Sequence, residues 1–334
     1  MTRNARILLS LVTASIAVAV LSFAGVSAAA ERPASPATAT TAPSFGHVFV
    51  IMGENTALSQ LTSKTTPYLI DTLKPSSAWI TNDYSFPVDG SLANYIGLTS
   101  GQYIPCEVHN LLPDKCHQNV PNVFEQLSST GRSWRVWAEG ATGPCDFIDS
   151  GMDWTKNVYS AHHNPAIYYD GIVGGVYDEG IRPRTACIQN DLAAGTTGPN
   201  DTSALDAALA SGDVGNLNLI VPNDCENGHD PCGTRNPFGQ FDSFLQREIP
   251  KIEASPAFGT NGVIVVTYDE GADKPFPNRF NIPLAIMGPQ VKTGVYGGAN
   301  HVSHYSVLRA IEDGFGLTRL GGAATAQPLP NVFG

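Results

Sequence analysis

The segment HVFVIMGENT, residues 47–56, changes within a few letters from an apolar run to a polar tail. Its first six residues are almost all apolar and too few for a typical helix, which predicts a buried β-strand. The tail places Glu54 and Asn55 directly after that strand. Because ligands of open α/β sheets bind at the carboxyl ends of the strands, this tail indicates where a site would lie.

Further apolar runs of the same kind alternate with amphipathic segments along the chain. The runs rich in Val and Ile are residues 133–139, 217–223, 262–270 and 282–288. The amphipathic segments between and around them are residues 66–73, 91–99, 120–129, 202–210, 240–249 and 302–315. Strands that alternate with helices predict a three-layer α/β/α sandwich around a mostly parallel central sheet.

The N-terminus has the pattern of a secretory signal peptide. Arg3 and Arg6 precede an uncharged apolar run, residues 7–24, and small residues follow up to Ala30. We expect residues 1–30 to be a signal peptide cleaved near Ala30, and the protein to be secreted without stable membrane anchoring. The alternative is a membrane anchor, since the run is close to the length that spans a bilayer.

The remainder divides into a linker and one domain. Residues 31–44, ERPASPATATTAPS, lack periodicity and predict a Pro/Ala/Thr-rich linker before a single catalytic domain over 45–334. Apolar residues make up 42% of the chain and charged residues 15%, which allows a large core. Without residues 1–30 the formal net charge changes from −11 to −13. No nucleic-acid partner is expected, because phosphate backbones require clustered basic residues.

All six cysteines follow the predicted signal peptide. An even number in an exported chain predicts three disulfides, for which 15 pairings exist. Short loops favour Cys106–Cys116 and Cys225–Cys232, which leaves Cys145–Cys187. A zinc cluster is the alternative, although the chain contains no C-x-x-C pair.

Acidic and amide side chains follow three of the predicted strands. They are Glu54-Asn55, Asp269-Glu270 and Asn223-Asp224. Each pair alone could be a helix cap or a turn. Together at equivalent strand ends they indicate a site, because carboxylate and amide oxygens suit a hard divalent cation.

The segment SFPVDGSLANYIGLTSG, residues 85–101, places a serine where a helix begins. Ser91 could be the N-cap of that helix, or a nucleophile beside a metal ion. A helix N-terminus also favours phosphate. Asn94 lies one turn further on the same face, where its amide could contact a phosphoryl oxygen.

Three histidines are candidates for contact with the same phosphoryl group. His162 and His163 stand together in a polar loop, and His229 follows the NDCENG segment. Imidazole groups there could hold phosphate oxygens or protonate a leaving group.

In their order along the chain, VFVIMGEN, GSLANYIGLTSGQ, HHNPAIYY, VPNDCENGHD, VIVVTYDEG and HYSVLRAIEDGFGL resemble the bacterial and fungal phosphoesterase family. This family contains acid phosphatases and phospholipases C within the alkaline-phosphatase-like superfamily, and the resemblance spans roughly residues 46–318. It implies an alkaline-phosphatase-like fold.

The resemblance also implies a site with one divalent metal ion, which could be calcium, magnesium, manganese or zinc. The implied metal ligands are Glu54, Asn55, Ser91, Asp269 and Glu270, with Ser91 also the nucleophile. Asn94, His229 and either His162 or His163 match positions that contact the phosphoryl group, and the substrate would be a small-molecule or lipid phosphate ester.

One departure from the family favours a compact phosphatase. The phospholipase C members carry an Asp-His pair shortly after the acidic residues that match Asp269 and Glu270. This chain has Asp273 in that region but no histidine. We therefore expect an acid phosphatase that forms a phosphoserine, with a phospholipase C-type phosphodiesterase as the first alternative. A GDSL-like serine esterase is another, although its D-x-x-H motif matches only Asp114 and His117. The last alternative is an exported binding protein with an inactive enzyme fold.

Overall fold

Eight strands form one sheet in the computed structural model, which describes residues 43–86, 90–103, 105–150, 158–175, 185–195, 201–233, 236–271 and 280–334. The strands are β1 (His47–Gly53), β2 (Ala78–Tyr84), β3 (Trp134–Ala138), β4 (Asp191–Ala193), β5 (Leu217–Val221), β6 (Gly262–Tyr268), β7 (Asn281–Met287) and β8 (Gly294–Tyr296). Their order across the sheet is β4-β3-β5-β1-β6-β7-β2-β8.

The sheet is mostly parallel. At its centre β1 pairs in parallel with both β5 and β6, so that Val48 faces Leu217 on one side and Val263 on the other. Among the described strands, β7 alone runs antiparallel to its neighbours, β6 and β2. The carboxyl ends of β1, β5 and β6 therefore meet at one edge, as the sequence predicts.

Helices cover both faces of this sheet. They are α1 (Lys74–Ser76), α2 (Ser91–Ser100), α3 (Pro113–Cys116), α4 (Val123–Ser129), α5 (Asp170–Val173), α6 (Thr185–Asn190), α7 (Ser203–Ser211), α8 (Pro237–Ala254) and α9 (His304–Phe315). A π-helix, Tyr68–Leu73, leads into α1, and short 3-10 helices include Leu58–Gln60, Pro105–His109, Ala161–His163, Pro165–Tyr168 and Gly321–Ala324.

Alternate residues of β1 belong to different hydrophobic cores. Val48, Val50 and Met52 pack in the core that contains α2, α4 and α9, whereas Phe49 and Ile51 pack in the core that contains α7 and α8. Because successive side chains of a strand point to opposite faces, the sheet is the middle of three layers. The predicted α/β/α sandwich with a mostly parallel sheet is confirmed.

All five predicted strands are present, but three others were not predicted. β2 was missed because its sequence, AWITNDY, contains three polar letters, although Asn82 and Asp83 are buried. β4 and β8 have three residues each and carry no periodic signal.

The predicted disulfides Cys106–Cys116, Cys145–Cys187 and Cys225–Cys232 are all present. The described residues lie in one compact unit, Thr41–Gly334. The predicted signal peptide and most of the predicted linker lie outside the described residues. Within the described part of the chain, no helix has both the length and the hydropathy needed to cross a membrane.

Candidate active site

The exits of β1 and β6 are joined by hydrogen bonds at the carboxyl edge of the sheet. The backbone N–H of Asn55 donates to Asp269 Oδ1 at 2.7 Å, and the backbone N–H of Asp269 donates to Gly53 O at 2.9 Å. Asn55 has a φ of 44°, in the left-handed region that asparagine tolerates better than most residues. This turn places the buried carboxyl groups of Glu54 and Asp269 side by side.

Ser91 lies against this pair of carboxyl groups. Its Oγ donates a hydrogen bond to Glu54 Oε2 at 3.0 Å. The possibility that Ser91 is the N-cap is wrong, because Gly90 occupies the cap position and Ser91 is the first residue of α2. The hydroxyl is therefore directed at Glu54, while the Gly90 N–H donates to Glu270 Oε2 at 3.3 Å.

Asn94 holds the segment that leads into α2. Its Oδ1 accepts from the Phe86 N–H at 3.1 Å, and its Nδ2 donates to Gly90 O at 3.3 Å. Both contacts are to backbone groups on either side of residues 87–89, which lie outside the description. The side chain thus fixes the approach to Ser91, and its contact with a phosphoryl oxygen stays a prediction.

Tyr95 also contacts Glu54 and was not among the predicted site residues. Its hydroxyl donates to Glu54 Oε1 at 2.6 Å, and its side chain is fully buried. Tyr95 lies four residues after Ser91 on α2, so both side chains project from the same face. The four-residue spacing from Ser91 was the feature of the sequence that could have identified Tyr95 as a site residue.

Of the two adjacent histidines, His163 contacts Glu54. Its Nε2 lies 3.3 Å from Glu54 Oε2, and its Nδ1 lies 3.7 Å from Asp224 Oδ1. His162 packs edge-on against the His163 ring, with 4.2 Å between the ring centroids. Burial, and then the charge of His163, lower the pKa of His162 to about 2, so that ring is neutral.

Asp224 follows β5 and completes the surroundings of His163. The Ser160 hydroxyl donates to Asp224 Oδ2 at 2.7 Å. Burial raises the pKa of Asp224, while the charge of His163 opposes that shift. The sequence indicated Asp224 only as a residue at a strand exit, because its partners come from a loop more than 60 residues earlier.

His229 lies in the loop after β5 and is half exposed. Its Nδ1 is 3.4 Å from Asp230 Oδ1, and this hydrogen-bonded partner raises the pKa of His229 to about 9 against the opposing effect of burial. The charges of Glu54 and Asp269 add to the shift, which puts His229 within electrostatic reach of them. His229 is therefore protonated at neutral pH.

His304 supports the site from behind. Its buried Nε2–H donates to the backbone carbonyl of Asp269 at 2.7 Å. Burial lowers the pKa of His304 to about 4, which keeps the ring neutral. The first turn of α9 thereby fixes the exit of β6.

The acidic pair has the properties of a cation site. Burial, as the largest cause, raises the pKa of Glu54 to about 8 and that of Asp269 well above its ordinary value. Glu54 adds to the rise for Asp269, whereas the hydrogen bond with Asp269 opposes the rise for Glu54. Asp269 Oδ2 is buried and has no hydrogen-bond partner among the described residues. Buried, adjacent carboxylates with a spare oxygen are stabilised by a cation, and the oxygen donors supplied by these residues and Ser91 fit a hard divalent ion.

A second group of potential ligands does not form a cation site. Cys145, Cys187 and Asp191 have ligand atoms within 4.8 Å of one another, closer than any other such group of histidine, cysteine or acidic side chains in the described chain. However, the two sulfurs are bonded to each other in a disulfide, so neither is a thiolate. The ligand set implied at Glu54 includes a serine and an asparagine oxygen beside its carboxyl groups.

Two solved structures have folds similar to that of this chain. A member of the alkaline phosphatase superfamily from Vibrio parahaemolyticus has a TM-score of 0.57 at 13% identity, over 86% of this chain and 71% of that one. The lipoteichoic acid synthase LtaP from Listeria monocytogenes has a TM-score of 0.50 at 11% identity, over 85% and 76% of the two chains. The fold is thus that of the alkaline phosphatase superfamily.

The chain belongs to the phosphoesterase family, whose sequence model matches residues 47–318. It is a hydrolase of phosphoric ester bonds. A phosphatidylinositol-3-phosphatase from Mycobacterium tuberculosis is 23% identical over 299 residues, which are 89% of this chain and 85% of that protein.

The family membership also bears on the serine-esterase alternative, since it favours attack on phosphorus over attack on an acyl carbon. In addition, His117 of the D-x-x-H match contacts Asp170 Oδ1 at 2.9 Å through its Nδ1, on an exposed part of the surface. The partner of the Ser91 hydroxyl is Glu54, to which its Oγ donates at 3.0 Å.

Proposed function

We propose that this protein is an exported, metal-dependent acid phosphatase that cleaves phosphate monoesters through a phosphoserine at Ser91. The observation that carries this proposal is the 3.0 Å hydrogen bond between Ser91 Oγ and Glu54 Oε2 at the first residue of α2. It combines a hydroxyl nucleophile with a buried acidic pair and with the positive end of a helix dipole.

In the first step, Ser91 Oγ attacks phosphorus and passes its proton to Glu54 Oε2, to which it is hydrogen-bonded, while the bond from phosphorus to the leaving oxygen breaks. Glu54 Oε2 orients the hydroxyl, and Tyr95 holds Glu54 at its other oxygen. The N-terminus of α2 stabilises negative charge on the phosphoryl oxygens. The Nδ2 group of Asn94 lies one turn away and would contribute a hydrogen bond.

The leaving group needs a proton as the bond breaks. His229 carries one at neutral pH, because its pKa is raised to about 9, and its half-exposed position suits the mouth of the site. In the second step, water hydrolyses the phosphoserine and Ser91 is restored. His163, between Glu54 and Asp224, would contact the phosphoryl group.

A divalent cation held by Glu54, Asn55, Ser91, Asp269 and Glu270 would supply Lewis-acid stabilisation of the negative charge on the phosphoryl oxygens. The spare Oδ2 of Asp269 and the raised pKa values of Glu54 and Asp269 support this ligand set. Calcium, magnesium, manganese and zinc all suit such oxygen-rich donors.

The name of a relative supports a phosphate monoester as the substrate, and the disulfides support export of the protein. The phosphatidylinositol-3-phosphatase relative is named for a reaction on a phosphate monoester, so a lipid headgroup monoester is the second candidate substrate beside a small molecule. Three disulfides support an oxidising compartment, in agreement with the signal-peptide pattern of residues 1–30.

The proposal is tested with Ser91→Ala and a panel of p-nitrophenyl phosphate, bis(p-nitrophenyl) phosphate, phosphatidylinositol phosphate and phosphatidylcholine. We expect hydrolysis of the monoesters, loss of nearly all activity in Ser91→Ala, and a phosphoserine trapped by acid quench in the parent protein only. Preference for phosphatidylcholine would instead support the phospholipase C alternative.

The cation is tested separately by chelation and readdition of each metal. Activity that survives complete chelation would contradict the metal ligand set. A metal-free protein that hydrolyses none of the panel after readdition would support the inactive binding protein.

A further inference from the structure

We propose that Asn110 is a positioning residue for the nucleophile, because it caps the helix of Ser91 from a disulfide-closed loop. The inference rests on the proposed role of Ser91. It concerns a residue that lies outside the acidic pair and the histidines described above.

The helix α2 lacks a cap of the usual kind. Its N-cap residue is Gly90, and no side chain at that position accepts a hydrogen bond from the first turn. Helices normally satisfy these free N–H groups with a local Ser, Thr, Asn or Asp side chain. Here the N–H of Leu92, the second residue of the helix, donates to Asn110 Oδ1 at 3.0 Å, from 18 residues further along the chain.

The backbone around Asn110 is built to present this side chain. Asn110 has a φ of 49°, a left-handed conformation that asparagine adopts more readily than other residues with a side chain. It follows directly after the 3-10 helix Pro105–His109. On its other side, the Tyr168 hydroxyl donates to Leu111 O at 2.9 Å, which anchors the next peptide.

The disulfide Cys106–Cys116 closes the loop that carries Asn110. Gln118 ties the end of this loop to the body of the protein, since its Nε2 donates to Cys116 O at 2.6 Å. The cap of α2 is thus supplied by Asn110, which lies in a short disulfide-closed loop, rather than by the residue before the helix. The ring restricts where Asn110 can lie, so we expect the disulfide and the cap to act as one unit.

Capping at Leu92 bears directly on Ser91, its neighbour in the first helical turn. Helix ends fray when their N–H groups lose their partners, and fraying of this turn would move Ser91 Oγ relative to Glu54 Oε2. Small displacements of a reacting group lower the rate of the chemical step more than they lower the binding of substrate. Loss of the Asn110 cap should therefore lower kcat and leave KM close to the parent value.

The test compares Asn110→Gly with Asn110→Asp. Glycine keeps the left-handed backbone and removes the acceptor, whereas aspartate keeps an acceptor oxygen and suits the positive end of the helix. We expect Asn110→Gly to lower kcat about five- to tenfold on p-nitrophenyl phosphate, as the loss of one cap would. Asn110→Asp should recover most of this kcat.

Asn236→Gly is the matched control. Asn236 Oδ1 likewise accepts a hydrogen bond from the second residue of a helix, since the N–H of Phe238 in α8 donates to it at 3.1 Å. This variant loses an equivalent cap on a helix that does not carry the nucleophile, and kcat should not change. An equal fall of kcat in Asn236→Gly would overturn the proposal.

The double variant Cys106→Ser/Cys116→Ser tests the link to the disulfide. We expect the double variant to lower kcat as Asn110→Gly does. The triple variant, which combines both changes, should lower kcat little further, because the effects of residues that act together are not additive. Full additivity, or an unchanged kcat without the disulfide, would overturn the link.

Hydrogen exchange of the Leu92 amide provides a readout that does not depend on catalysis. Faster exchange in Asn110→Gly than in Asn110→Asp supports the cap even if Ser91→Ala were to retain activity, in which case only the proposed function would fail. Unchanged exchange together with unchanged kcat would overturn the role of Asn110 while the role of Ser91 stands.

Discussion

Tyr95 and Glu54 form a 2.6 Å hydrogen bond, in which the phenol donates to the carboxylate oxygen that Ser91 does not contact. Both donors project from one face of α2, so a single helix holds the two oxygens of Glu54. The carboxyl group consequently has little freedom to rotate, and its orientation depends on both the Ser91 hydroxyl and the Tyr95 phenol.

Replacement of this phenol should weaken the proposed cation site. In Tyr95→Phe the ring remains but Glu54 Oε1 loses its donor, so we expect divalent-ion affinity to fall about 10- to 100-fold, as it does when other partners of metal ligands are removed. Titration calorimetry on the chelated protein measures this without reference to turnover.

Tyr169→Phe is the control for this substitution. It removes another buried phenol, one that contacts Thr99 Oγ1 at 2.6 Å and is not bonded to Glu54. Equal affinity losses in the two variants would contradict a specific role of Tyr95.

The two adjacent histidines should differ in their effect on activity. His163 contacts Glu54, whereas His162 contacts mainly the His163 ring. We expect His163→Ala to lower kcat/KM by about 100-fold or more, and His162→Ala to have a much smaller effect. Steady-state kinetics on p-nitrophenyl phosphate decides between them, and the reverse order would assign the site to His162.

The loss of activity at high pH should follow the deprotonation of His229. Its pKa is raised to about 9 by Asp230, so the protonated form prevails below that pH and kcat should fall as the pH rises through about 9. In Asp230→Asn the pKa should return toward about 6.5, which moves the falling limb to lower pH and makes the variant about 30-fold slower at pH 8. At pH 5.5 the two proteins should be alike, and an unmoved limb would remove His229 from the proton transfer.

Asp83 should make the folded state less stable as the pH rises. Burial raises its pKa from 3.8 to about 7, and neither carboxyl oxygen has a hydrogen-bond partner among the described residues. A raised pKa in the folded state means that this contribution to stability is complete below pH 3.8 and is lost as the pH rises through about 7.

Asp83→Asn does not titrate and should abolish this part of the pH dependence. Urea unfolding at pH 4 and pH 7.5 measures it, since the difference in free energy of unfolding between parent and variant should shift in favour of the variant at the higher pH. A constant difference would show that Asp83 does not ionise in this range.

The parts of the fold that the sequence predicted are those with a strong local signal. β1 and β6 are buried on both faces and consist of continuous apolar residues, so their character is visible without their neighbours. β2 carries polar residues inside the protein, and its strand conformation depends on pairing with β7 and β8. Such pairing is a tertiary property that a window of sequence does not contain.

The candidate site was predictable to the same degree. Glu54, Asp269 and Ser91 stand at element ends, where chemistry in α/β folds concentrates, and the structure brings them together. The contact of Asn110 with α2 could not be predicted from the sequence, because nothing in the local sequence shows that its loop folds back onto this helix. The N-cap possibility for Ser91 failed because the cap position falls on Gly90, so that Ser91 is the first residue of the helix.

The hydrogen bond between Asn55 and Asp269 spans 214 positions of the chain. Contacts of such large sequence separation form late in folding, because loop closure costs entropy before the contact stabilises anything. A nascent chain that has not yet produced β6 therefore contains Ser91 and Glu54 but not Asp269. Catalysis would begin only once β6 has been synthesised and has paired with β1, and the return of activity after denaturation would report on this pairing.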